Sequence, residues 1–262
     1  MFSQEERCIY GQNQLADVIC QLRFPTILAI GAREPVDFQE AIRGVFPNYQ
    51  LRYDQLPPKV TALPGQPAKV EPQKPIANHQ FATADGKYRI NLSQGFISLT
   101  CHSYTCWEEF ARMMDKPLAS FIEIYKPAHF ERVGLRYLNA ISRRDLGLEG
   151  YAWKDLIEPC YLGLLAAEDV NETAFSRCSQ DVEMALPGSC RLKLHAGPGV
   201  IKRGQDASDK EVKMILDLDV SMNGNVPVNL AAPSMQTVHV HADAVFRGAI
   251  TDTLHEAMQP DH

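Results

Sequence analysis

The sequence predicts an α+β fold in two halves, residues 1–147 and 148–262, packed as one unit. Three observations carry that reading. Segments in which apolar and polar residues alternate, the period of a half-buried strand, recur in both halves. Between and after them run stretches whose apolar residues return every three or four positions, the period of a helix packed on one side. Turn chemistry such as Asp85-Gly86 and Asn223-Gly224 separates the segments. With 262 residues, 45 % hydrophobic and 22 % charged, the chain is long enough to bury a sizeable core.

Leu15 to Phe24 alternates, with Val18, Cys20, Leu22 and Phe24 on the apolar side and Asp17, Gln21 and Arg23 on the reverse, and it stops at Pro25. A short helix follows, with Asp37 as its expected N-cap, Glu40 three residues on, and a stripe of Phe38, Ile42, Val45 and Phe46 ending at Pro47. Leu56 to Ile76 holds six prolines, so it is expected as an extended insertion rather than a folded piece. His79–Ala84 and Lys87–Leu92 flank Asp85-Gly86 as a hairpin, and Phe96–Cys101 continues as a strand. Thr105 and Glu108 have the spacing of a capping box before a long helix, with apolar residues from Trp107 to Tyr125 and an internal Pro117 expected to kink it.

Phe130 to Ile141, FERVGLRYLNAI, reads as a central strand covered on both faces, with Val133, Leu135, Tyr137 and Ile141 on one face and Arg132, Gly134 and Arg136 on the other. The order β, α, β-hairpin, β, α, β resembles a ferredoxin-like split βαβ unit carrying the Pro-rich insertion. In that arrangement Leu15–Phe24 is central, between Phe130–Ile141 and the strand after the first helix. In the second half Trp153–Ala167 reads as a helical segment broken at Pro159. Thr173–Leu186 and Cys190–Ala196 read as strands joined at Pro187-Gly188, and Val212–Val220 as a third that ends at Asn223-Gly224. Val238–Met258 reads as the C-terminal helix on this antiparallel sheet.

A formal charge of −6 argues against nonspecific nucleic-acid binding, which needs Lys and Arg to neutralise phosphates. No apolar run has the length of a membrane span, and MFSQEERCIYGQNQ lacks the basic start and apolar stretch of a secretion signal, so no membrane partner and a cytoplasmic location are expected. Seven cysteines without a CxxC pair indicate neither a disulfide framework nor a ribbon-type zinc site.

Three segments carry a family resemblance: ADVICQLRFP with FQEAIRGVFPNY soon after, GLRYLNAI, and FRGAITDTLHEAM after LDLDV. Together they resemble a sporadically distributed bacterial family of about this length that has no assigned activity. The resemblance implies a protein of mobile, accessory or defence-related gene neighbourhoods, acting with a protein partner, and it carries over no catalytic residues. Val238 to His241 departs from the family pattern.

Candidate chemistry is sparse. Arg23, Arg132 and Arg136 form a cationic strand face, and Asp217 and Asp219 share a face of their own strand. The two sets are expected to meet as ion pairs between two packed sheets, or else the arginines form an anion site. His195, Lys202 and Arg203 flank Gly197 and Gly199 in a basic, glycine-rich loop, a candidate for phosphate or RNA backbone and more simply a hairpin connection. His239, His241 and Asp243 would make a metal set on a strand. On a helix His239 and Asp243 become an i,i+4 pair, expected on a solvated face, so no metal and no cofactor is assigned. Cys101, His102 and Cys106 sit at a strand-to-helix junction without an identifiable base.

The leading expectation is a non-enzymatic binding or assembly protein. The alternative is an RNA-binding protein or ribonuclease of tandem ferredoxin-like type using the arginine face and the Gly197–Gly199 loop. A weaker one is a metal-dependent hydrolase built on Asp217, Asp219 and His195. Oligomeric state is not readable from these residues.

Overall fold

The alternating segments become strands of one antiparallel sheet. The structure, a computed structural model, describes residues 2–61, 69–201 and 209–261. In chain order the elements are β1 (Ile9–Tyr10), β2 (Leu15–Arg23), α1 (Leu28–Ala32), α2 (Val36–Ile42), β3 (Asn48–Asp54), β4 (Lys59–Thr61), β5 (Lys69–Glu71), β6 (Ile76–Ala82), β7 (Tyr88–Ser93), β8 (Phe96–Cys101) and α3 (Trp107–Tyr125). There follow β9 (Phe130–Ile141), α4 (Trp153–Leu156), short 3-10 turns between 159 and 174, β10 (Gln180–Leu186), β11 (Cys190–Gly199), β12 (Lys213–Val226), α5 (Ala231–Arg247), α6 (Asp252–Ala257) and β13 (Pro260–Asp261).

Nine strands form the main sheet in the order β10-β11-β12-β9-β2-β8-β7-β6-β3. Every neighbouring pair is antiparallel. Helices cover one face only. Val18, Cys20 and Leu22 of β2, Val133 and Leu135 of β9, and Leu216, Leu218 and Val220 of β12 are fully buried on that face. Phe110, Met114 and Phe121 of α3 and Met235, Val238 and Val245 of α5 belong to the same buried cluster. Each such side chain contributes about 1.5–3 kcal/mol by leaving water, so this layer dominates stability.

Several expectations change. β9 occupies its predicted span and a central position, yet it is covered on one face only, and the Arg136 side chain on the other face is 45 % exposed. β2 does lie between β9 and a strand of the first half, but that strand is β8. The strand expected after the first helix, His79–Ala84, corresponds to β6, which β7 and β8 separate from β2, and a further strand, β3, follows the helices at the sheet edge, so the expected split βαβ pairing is not made. The two halves contribute to one continuous sheet, joined where β9 pairs with β12, not two sheets packed face to face.

Local signals also shift. Helix α2 begins at Val36 behind Pro35, not at an Asp37 cap. Helix α3 starts behind Cys106 with no side-chain cap, because the Thr105 hydroxyl accepts a hydrogen bond from Lys87 Nζ at 3.2 Å instead. β12 runs on through a register shift to Val226, with Gly224 at φ +109° supplying the backbone geometry of the irregularity. The Pro-rich insertion holds the small exposed hairpin β4–β5.

The topology contains a repeat. Each half opens with a central strand, sends a helical segment across to the far edge, returns inward strand by strand, and ends in a long helix. Counted outward from the centre, β2-β8-β7-β6-β3 mirrors β9-β12-β11-β10. Leu22-Arg23-Phe24 and Leu135-Arg136-Tyr137 echo this in sequence, each with its arginine on the helix-free face. On this plan the repeat divides between α3 and β9, near residues 126–129. Among the described residues no helix is long and apolar enough to cross a membrane.

Candidate functional site

The helix-free face gathers most of the residues singled out from the sequence. Arg136 stands opposite Asp219 on β12 and Ile19 on β2, and Arg132 stands opposite Asn223 and Arg23. Both guanidiniums reach along the sheet rather than straight across it. Arg136 holds Asp217 with two bonds, Nε to Oδ1 at 2.7 Å and a terminal nitrogen to Oδ2 at 2.5 Å, a paired geometry that suits guanidinium and carboxylate. The Asp217 carboxylate raises the Arg136 pKa above its already high value. Arg132 reaches Asp219 at 2.5 Å by lying across Gly134, where a Cβ would overlap the guanidinium. Glycine between the two arginines is thus what lets the first of them lie flat. These ion pairs join neighbouring strands of one sheet, not two packed sheets.

Charge pairing continues toward the sheet edge. His195 is a strand residue of β11, opposite Asp217 and Asp181, and its Nδ1 lies 2.8 Å from Asp181 Oδ1. Lys193 and Arg191 both reach Glu183, at 2.8 and 3.5 Å. Gly197 and Gly199 also belong to β11, so the expected loop there is a strand end, and Lys202 and Arg203 lie outside the described residues. Arg23 is exposed, with no carboxylate paired to it among the described residues.

The first half of the same face is built from amides and hydroxyls. Gln21, Ser98, Asn91, Gln80 and Gln50 occupy one row across β2, β8, β7, β6 and β3. Gln80 Nε2 donates to Asn91 Oδ1 at 3.0 Å, and Asn91 Nδ2 to Ser98 Oγ at 3.3 Å. Beside this row, Asn78 donates to Asp54 at 2.9 Å while its own Oδ1 is shielded and without a partner among the described residues, as is Arg89 Nε toward the other end of the β6–β7 pair.

A second concentration of polar groups lies on the helix side, and sequence reasoning placed it wrongly. His239 and Asp243 are on helix α5, as the spacing predicts, but they do not face open solvent: His239 is 4 % exposed. Both line a cavity of about 70 Å³ between β9, α5, the segment before α3, and the N-terminal segment. Trp107 stacks on the His239 ring at 4.4 Å, and the Tyr137 hydroxyl meets His239 Nδ1 at 2.9 Å. Tyr104 continues the chain at 3.4 Å from Tyr137. Burial, with Arg7 adding to it, pushes the His239 pKa down to about 4, and burial lifts Asp243 to about 6.

The signal was present in the spacing. Met235, His239, Ala242 and Phe246 recur at three and four, so His239 lies on the widened buried arc of the helix. His241, pointing elsewhere, donates from Nε2 to the Pro187 carbonyl at 3.2 Å. Among the described residues no cluster of three or more His, Cys, Asp or Glu could hold a metal. Cys101 is buried with its thiol pKa raised by desolvation, and His102 is bound to Asp17 at 2.6 Å, so that junction does not assemble a nucleophile and base. Comparison with known protein families and with curated proteins finds no match to this chain.

Proposed function

We propose that the chain is a non-enzymatic binding protein that docks a polypeptide partner on the helix-free face of its sheet. The observation that carries this reading is the pairing of Arg132 and Arg136 with Asp219 and Asp217. Cations spent on carboxylates are not free to neutralise phosphates, which is the main source of nucleic-acid affinity. Carboxylates spent on guanidiniums are equally poor metal ligands, which speaks against the hydrolase. What remains is a broad face of alternating donors and acceptors with balanced charge, suited to a protein surface of mixed polarity. The resemblance to the sporadically distributed family favours a partner encoded close by.

The test compares two charge changes during capture of the tagged full chain from its native cells. Gln21→Glu with Arg23→Glu alters the face where neither residue holds an ion pair, and Lys116→Glu alters the outer side of α3. The expected outcome is a partner retained by K116E and lost by the double variant. Equal capture by both overturns the proposal. Capture of no protein, together with single-stranded RNA binding that falls steeply with salt, replaces it by the RNA reading.

A further inference from the structure

We propose that two copies of the chain pair antiparallel through strand β3, about a two-fold axis at Leu51, so that the sheet of one copy continues into the other. The main sheet ends in two rims, β10 and β3, each bonded to one neighbour. At a rim, alternate residues direct their N–H and C=O groups outward, which invites another strand unless the sequence guards against it. β10 is guarded: Asp181 and Glu183 stand on it with no basic residue of the same strand to balance them. β3 is not. Its sequence, NYQLRYD, contains no proline, and its one arginine and one aspartate cancel. All of it but Leu51 is exposed, Tyr53 to 62 %, and no described strand lies outside it.

The strand is complementary to itself in one register. In an antiparallel pair, outward residues of one strand must meet outward residues of the other, so the axis passes through a residue and not between two. Centred on Leu51, all seven residues pair: Leu51 meets Leu51, Tyr49 meets Tyr53, Gln50 meets Arg52 and Asn48 meets Asp54. The Gln50 side-chain carbonyl can accept from the guanidinium. Asp54 accepts from Asn78 through Oδ2, which leaves Oδ1 for the Asn48 amide. Moving the axis to Arg52 sets two guanidiniums against each other, and moving it to Gln50 leaves Tyr53 and Asp54 unpaired. Tyr49 is already fixed for its part, its hydroxyl 3.0 Å from His79 Nδ1 and its ring 5.2 Å from that of Phe81. Aromatic pairs directly across an antiparallel ladder are stabilising.

The elements flanking β3 fit the same symmetry. Val45, just before the strand, is exposed, and the β4–β5 hairpin that follows it exposes the facing valines Val60 and Val70. A two-stranded hairpin is marginal alone. Antiparallel pairing sets the end of β3 in one copy beside its start in the other, and so carries each hairpin toward the second copy's Val45. Once β3 is paired, the remaining rims are the two guarded β10 strands, so assembly closes at two copies. The inference concerns the rim of the sheet and stands apart from the reading of its helix-free face.

Sedimentation of the full chain over a range of concentrations tests it. A dimer of twice the 29.3 kDa chain mass is expected at high concentration, dissociating on dilution. Gln50→Lys sets a lysine opposite Arg52 at two symmetric places and is expected to weaken association about tenfold or more. Adding Arg52→Glu turns the repulsion into an ion pair, and the double variant is expected to regain the dimer. Tyr53→Ala, on the other side of the strand, is expected to weaken it as well. Ala185→Glu on β10 is expected to leave it unchanged. A single chain at every concentration, a Q50K dimer as tight as the unsubstituted one, no recovery on adding R52E, or loss of the dimer in A185E overturns the proposal.

Discussion

Gly134 and Gly197 both lie on the helix-free face, and a methyl group at each would meet different things. At Gly134 the obstacle is the end of the Arg132 side chain, which can swing away at the cost of its bond to Asp219. Gly134→Ala is therefore expected to change stability by less than about 1 kcal/mol, the scale of a part-exposed ion pair. At Gly197 the obstacle is backbone, the Cys178 carbonyl at 2.6 Å, so Gly197→Ala should cost about 1–3 kcal/mol. Urea titration of both variants checks the contrast, and equal costs would contradict it. For Asp243 the folded pKa lies above the unfolded one, so the folded state binds the proton more tightly and the penalty of burying the charge is full above about pH 6 and gone below about pH 4. Asp243→Asn should stabilise the protein by about 1–3 kcal/mol at pH 8, and the gain should vanish near pH 4. His239 has the opposite sense: its folded pKa is lowered to about 4, so it costs nothing above pH 6.5 and destabilises increasingly as pH falls toward 4. The arginine–aspartate partnership was legible because four like-faced charges on two apolar strands must be answered. The His239 environment was legible only in part: the spacing puts it at the edge of the buried arc, while the rings that cover that edge, Trp107 and Tyr137, come from elements far away in sequence.

Strand β9 was the clearest element in the sequence, alternating from Arg132 to Tyr137 with a proline three residues before it, and it is paired along most of its length with both β12 and β2. β3 was missed although Tyr49, Leu51 and Tyr53 alternate, because its side chains are largely exposed at the sheet edge and a proline tract follows. The difference has a kinetic counterpart in backbone opening. In the single chain, amide exchange should be slowest in β9 and β2 and fastest among the main-sheet strands in β3 and β10, which have one neighbour each. Faster exchange in β9 than in β10 would contradict this. Element boundaries moved where a polar side chain found a better partner than the one its spacing offered, as Thr105 did with Lys87 rather than a helix cap.

At the level of the molecule, alternation and helical stripes gave the α+β class and the C-terminal helical region, but not the order of strands. That order depends on which edge each returning strand joins, and the first half places its hairpin β6–β7 between β8 and β3. The repeat was hidden because only the Leu-Arg-aromatic triplets in β2 and β9 echo one another. Residues 2–125 and 129–261, expressed as separate chains, should reassemble into one complex, since the β2–β9 ladder and the shared helix layer require no covalent bond through 126–128. Copurification through a tag on either piece is the measurement, and independent elution would refute it. The meeting of the two opening strands at the centre has an ancestral implication. Two copies of one such half, associating through their first strands about a two-fold axis, would already build this sheet, so the present chain has the layout of a homodimer whose subunits became joined and then diverged.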